Sequence, residues 1–217
     1  WTVVFTLASG DTDGAVAFTI DFSDTGGIAG TQVTSTTDGT SVRFDRTAPT
    51  LSSVSIDSDN ATNIGTNETA RAGDTVTLSF TADETVQAPT VAFTVGGASP
   101  AGSVTVTNAS GNEWTAAFTL ASGDTEGAVA FTIDFSDTAG NAGTQVTSTT
   151  DSSSVTLDKT APTLTSVSID SDNATSVAKV GDTVTLSFTA DETVQAPTVA
   201  FTVSGASPAG SVTVTNA

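Results

Sequence analysis

Neither a thiol nor an imidazole occurs in this sequence, so carboxylates are its main candidates for chemistry. That excludes thiolate nucleophiles, imidazole bases, disulfides and the usual zinc and haem sites. Three placements stand out. Asp83 and Glu84 are adjacent and recur as Asp191 and Glu192; Asp137 lies four residues before Asn141 in SDTAGNAG (136–143); Asp45 and Asp158 open FDRTAP and LDKTAP, the segments that join repeats. Paired carboxylates such as Asp83 and Glu84 can serve as acid and base in glycoside hydrolysis. Neighbours on an extended chain point to opposite faces, however, and the sequence shows no aromatic-lined cleft. No enzyme is expected. Carboxylates and an amide are also hard oxygen donors: Ca²⁺ accepts six to eight of them in loose geometry, whereas Mg²⁺ demands a tighter octahedron. The alternative is a set of solvated or turn-forming side chains.

The balance of charge narrows the partners. With 24 acidic and 5 basic residues among 217, the formal net charge is −19. No basic patch exists to neutralise phosphates, which argues against nucleic-acid binding. The same charge deters contact with anionic membranes, and no apolar run approaches the length of a membrane span. A leader with a charged start and apolar core is not visible. The sequence opens on Trp1 inside a strand-like pattern, so we expect an excerpt of a longer polypeptide whose export signal lies elsewhere. Acidity, abundant Thr and Ser and the lack of Cys together favour an extracellular setting.

Repetition is the strongest signal. Residues 1–46 align without gaps to 114–159 with 10 differences, and residues 74–109 align to 182–217 with one, Gly96 against Ser204. The offset changes from 113 to 108 within one loop, 58–75 against 171–183. A period this long is a whole domain, because solenoid repeats run about 20–50 residues. The expected organisation is the second half of one repeat (1–46), a complete repeat (47–159) and the first half of another (160–217). The two outer halves would together make one domain lacking only SGNE (110–113).

The complete repeat reads as all-β. Apolar residues alternate in TVTLSFTA (75–82), WTAAFTL (114–120) and VAFTIDFS (129–136). Further strands are expected at 51–57, 90–95, 103–108 and 144–157, separated by Gly, Pro, Asn and Asp clusters. Seven short strands in such a length argue for tandem immunoglobulin-like β-sandwich domains. In that arrangement the second-to-third and sixth-to-seventh connections share the end that faces the preceding domain. Asp83, Glu84, Asp137 and Asn141 would then converge where Asp45 arrives, and Asp158 would meet Asp191 and Glu192. SIDSDN (55–60, again at 168–173) offers a second candidate through Asp57 and Asp59, or Asp170 and Asp172, though it lacks the Gly and terminal Glu of known calcium loops.

The junctions FDRTAPTLSSVSIDSD (44–59) and LDKTAPTLTSVSIDSD (157–172), with the loop SDTAGNAG, resemble bacterial Ig-like repeats of large surface adhesins. The resemblance spans the chain. It implies an extender module at the bacterial cell surface, in an adhesin or biofilm protein, with calcium-binding at domain junctions. Pro49 and Pro162 fix φ and push the preceding Ala toward extended geometry, which suits a short stiff linker. In the first half-repeat Ile28 stands at the Asn141 position, so the repeats need not carry identical sites. Other readings remain. Trp1 and Trp114 could be platforms for sugar, although their strand positions favour the core. A cross-link of the pilin kind would need a buried Lys, and the complete repeat has only Lys159, at its exit. The main rival is an extracellular filament, a homopolymer in which neighbouring copies complete each other's half-domains.

Overall fold

The computed structural model describes residues 1–60, 66–173 and 177–216. The loops that change the repeat offset fall partly on 61–65 and 174–176, outside the described residues. Among the described residues there is no helix, and therefore none long and apolar enough to cross a membrane. Residues Trp1–Lys159 form one compact unit and Thr160–Ala217 another. The 46/47 repeat boundary read from sequence lies inside the first unit.

Within that first unit, residues 47–159 build two four-stranded sheets. One runs in the order β3 (Leu51–Ser58), β5 (Thr75–Ala82), β8 (Glu113–Thr119), β7 (Thr105–Ser110). The other runs β4 (Asn67–Ala70), β10 (Ser154–Leu157), β9 (Gly127–Asp134), β6 (Thr90–Val95). All pairings are antiparallel except β4 with β10, which run parallel from Asn67↔Ser154 to Ala70↔Leu157. The two-residue period of these strands puts Val76, Leu78 and Phe80 on the same face as Ala116 and Phe118. From the other sheet come Val91, Phe93 and Val95, then Val129, Phe131 and Ile133, then Val155 and Leu157, all buried in the same core. Phe93 and Phe118 meet across the sheets with ring centroids 4.7 Å apart. Each large side chain so buried contributes about 1.5–3 kcal/mol, and this sum is what closes the sandwich.

Two segments differ from the strands expected of them. Residues 144–157 are strand only at β10. Ahead of it, Thr150 and Ser153 turn to the outer edge of β3: Thr150 N–H donates to Val54 O (2.8 Å), and the Val54 and Ile56 N–H groups donate to Thr150 Oγ1 and Ser153 Oγ. Hydroxyl-bearing residues thereby satisfy an edge that would otherwise recruit another strand. The second difference is β4, which sits in what reads as a loop. Its inward positions are Glu68 and Ala70, and the buried Glu68 carboxylate accepts the Ser58 N–H at 2.7 Å. A charge on the inward face hides the alternation.

The outer segments reproduce parts of this domain. In the first unit, β1 (Gly14–Ala15) pairs with β2 (Arg43–Phe44) in the same register as Gly127–Ala128 with Thr156–Leu157, and the bridge Ile20↔Val33 matches Ile133↔Val146. In the second unit, β11 (Leu164–Ser171) pairs with β12 (Val184–Ala190) as β3 pairs with β5, including the irregularity near the start.

The one difference between residues 74–109 and 182–217 falls at a strained point. Gly96 has φ +55°, and a Cβ there would lie 2.6 Å from the Glu126 carbonyl oxygen and 2.8 Å from that of Thr125. Ser204 adopts nearly the same φ, 50°, in the second unit. The Thr125 methyl, at 2.7 Å, could turn aside, but the two carbonyls belong to the backbone. Gly96→Ser should therefore lower the stability of the complete domain by about 1–3 kcal/mol in denaturant unfolding; an unchanged midpoint would show that the 125–126 turn yields without strain.

Candidate metal centre at the linker

The segment from Asp45 to Thr50 is tied down on both sides. Behind it, the Arg46 guanidinium pairs with Asp13 (Nε–Oδ1 3.2 Å) and reaches the Ser9 carbonyl, and Thr47 Oγ1 donates to Asp13 Oδ2 at 2.7 Å. The next junction repeats the theme. Lys159 Nζ donates to the carbonyls of Ser122 and Asp124, and the Lys159 N–H donates to Glu126 Oε2. Ahead of the linker, Pro49 is fully buried. Thr50 donates its N–H to Asp83 Oδ1 (2.8 Å) and its hydroxyl to Asp83 Oδ2 (2.7 Å). In the second unit Thr163 holds Asp191 in the same way, at 2.8 and 2.6 Å. Asp83 and Asp191 thus act as clamps on the residue after proline, and the bonds from Thr50 and Thr163 hold both carboxyls below the usual range.

The loop after β9 is shaped by Asp137. Its Oδ1 accepts the Asn141 N–H (2.8 Å), its Oδ2 accepts Asn141 Nδ2 (2.7 Å), and its carbonyl accepts Gln87 Nε2 (2.9 Å). Burial opposes the charged form of Asp137. The bonds from the Asn141 side chain and from the backbone of Asn141, Gly140 and Ala139 outweigh it and lower the pKa. Asp24 makes the same turn in the first half-repeat with Ile28 in place of the asparagine. The turn therefore needs the aspartate alone. What Asn141 adds is a bond from Nδ2 to the Asp45 carbonyl, at 3.1 Å across the linker.

These contacts bring Asp45, Glu84 and Asp137 together, with one carboxylate oxygen of each within 4.8 Å of the others. The group draws on the linker, the β5–β6 loop and the loop after β9. Asp83 faces Thr50 instead, and Asn141 touches the cluster as a donor to Asp137 and to the Asp45 carbonyl. Asp158 closes the first unit with its N–H on Ala70 O, whereas Asp191 and Glu192 belong to the second unit. Of the SIDSDN aspartates, Asp59 and Asp172 each receive a backbone N–H, from Thr75 and Thr183. Asp13, Thr47 and Thr50 were not among the sequence-derived candidates; the recurrence of TAPT ahead of ADET in both copies was the signal that could have found Thr50.

The donor set is oxygen only and strongly anionic. It suits a hard divalent cation such as Ca²⁺, for which three carboxylates would fill part of the shell. It offers nothing to a thiophilic metal. Glu84 registers the strain of this arrangement: burial raises its pKa first, and the charges of Asp45, Asp137 and Asp83 add to it. A carboxyl whose pKa rises on folding destabilises the fold once the pH climbs through that folded value, and acidification below it relieves the effect. Asp83 and Asp137 act in the opposite sense; their contribution is complete above the ordinary Asp range and fades as the pH falls through their lowered values.

In chelator at neutral pH, Glu84→Gln should accordingly raise the melting temperature by roughly 1–3 °C. The difference should shrink as the pH falls through the raised Glu84 value toward the ordinary glutamate range, where the wild-type carboxyl is protonated as well. Identical melting at neutral pH would remove the repulsion from the account. No protein-family model, curated protein or solved structure matches this chain.

Proposed function

We propose that this chain is a non-enzymatic structural extender: tandem immunoglobulin-like sandwiches in the stalk of a large bacterial surface adhesin or biofilm protein, stiffened by Ca²⁺ where repeats join. Three features support the Ig-like reading. The sheets hold strands in the orders β3-β5-β8-β7 and β4-β10-β9-β6, the first and last strands lie close together, and whole-domain repetition runs through the sequence. The observation that carries the function is the Asp45, Glu84 and Asp137 cluster, because it unites the linker with two loops of the following domain. A cation held there would join what carboxylate repulsion pushes apart, so the linker would lose its freedom to bend. Extracellular calcium modules bind at about 0.1–1 mM, which matches an exported protein rather than a cytosolic sensor.

The test is melting and small-angle scattering of the chain in calcium and in EGTA. At ten to a hundred times the dissociation constant, Ca²⁺ should raise the melting temperature by roughly 5 °C or more. It should also narrow the distribution of interatomic distances, and Glu84→Gln should lose both responses. Superimposable scattering and melting with and without calcium would refute the stiffened spacer.

A further inference from the structure

Only 5 residues of the chain are basic, and two of them, Arg46 and Lys159, occupy the same place, directly after the aspartate that opens a linker. Both side chains reach backward, to the turn between β8 and β9 or to its equivalent in the first half-repeat. Lys159 Nζ donates to the carbonyls of Ser122 (3.3 Å) and Asp124 (2.5 Å), and the Lys159 N–H donates to Glu126 Oε2 (3.3 Å). The Arg46 guanidinium donates to the carbonyl of Ser9, the counterpart of Ser122. It also pairs with Asp13, the counterpart of Glu126. These segments differ at 10 of 46 positions, yet the two members of this contact change together and keep their charges: Asp13 stands with Arg46, and Glu126 with Lys159.

The turn itself is arranged to receive a cation. Asp124 is buried; its Oδ2 accepts the Ala121 N–H and its Oδ1 the Ala101 N–H, both at 2.8 Å. Asp11 repeats the first of these bonds with the Ala8 N–H at 2.7 Å. The carboxylate thus takes up N–H groups at the turn, while the carbonyls of Ser122 and Asp124 accept from the linker. A charged donor suits such a group of acceptors, because its bonds are roughly twice as strong as those of a neutral one.

We propose that the basic residue of each linker is a metal-free latch that fixes the linker to the domain before it, leaving the joint with the domain after it as the part a cation controls. Extended geometry separates the two tasks, since neighbouring side chains point apart. Asp45 joins Glu84 and Asp137 ahead, while Arg46 turns to Asp13 behind. A domain and its exit linker then move as one piece, and chelation frees only the forward joint. The latch needs no calcium; its division of labour with the forward joint rests on the calcium reading.

The chain has no cysteine, so a single introduced one can carry a spin label. The experiment labels Ala48→Cys or Ala161→Cys, both exposed and just beyond the basic residue, in the full chain in EGTA. Arg46→Gln, read at the first label, and Lys159→Gln, read at the second, remove the charge. Each should raise the mobile fraction of the label by about threefold or more. Salt at about 1 M, which shortens electrostatic reach to about 3 Å, should reproduce part of this effect. Lys159→Arg should keep the wild-type line shape, since arginine serves at the other junction. An unchanged melting curve would show that the linker is released from a domain that stays folded. Equal mobility in wild type and in both glutamine variants would overturn the latch, and so would Lys159→Arg behaving like Lys159→Gln. Calcium decides the other reading separately: mobilisation by Lys159→Gln with a label indifferent to calcium would support the latch and refute the stiffened spacer.

Discussion

Closure of the core depends on two halves of a sequence that neither half can complete. In the complete domain, β3, β5 and β7 come from residues 47–110 and receive β8 from the second half. The opposite sheet takes β4 and β6 from the first half and β9 and β10 from the second. Every sheet is thus interleaved, and the Phe, Ile and Val faces find cover only when both halves are present. A sandwich built from two separate hairpin layers would behave differently, since each layer could form before meeting the other. Here the ladder between β5 and β8 and the shared apolar core need both halves, an arrangement that favours cooperative folding.

The linker obeys a similar logic on a smaller scale. Pro49 is buried, Thr50 is held by both oxygens of Asp83, and Arg46 and Thr47 are held by Asp13. A six-residue segment therefore has few free torsions left before any cation is considered. The acidic group of Asp45, Glu84 and Asp137 works against this order, because like charges at close range repel. Hydrogen bonds from Asn141 offset part of that repulsion by holding Asp137 and the Asp45 carbonyl in place. Burial first, and then the charges of Asp45, Asp137 and Asp83, raise the Glu84 pKa.

Much of this was legible in the sequence. Alternation placed β5 to the residue, β8 to within one residue and β9 to within two, from the apolar faces of Val76, Leu78 and Phe80, of Ala116 and Phe118, and of Phe131 and Ile133. Convergence of Asp45, Glu84 and Asp137 followed from strand order alone. What escaped were interactions without a pattern. Glu68 occupies an inward position of β4, so a short parallel strand looked like loop. Thr150 and Ser153 pair with β3 through hydroxyls as well as backbone, which no periodicity reveals. Asp83 was expected at the cation because it lies on the same connection as Glu84, and the structure has both its oxygens accepting from Thr50, a contact that no pattern announces.

The parallel pairing of β4 and β10 has a mechanical consequence. The last strand of the complete domain, β10, runs in the same direction as β4, its second strand, over four residue pairs. A pull on the two ends of the domain would slide these strands past each other, so their hydrogen bonds would bear the load together. Antiparallel partners pulled from one end would part like a zip, one bond after another. A short shear clamp of this sort yields only when its bonds break together.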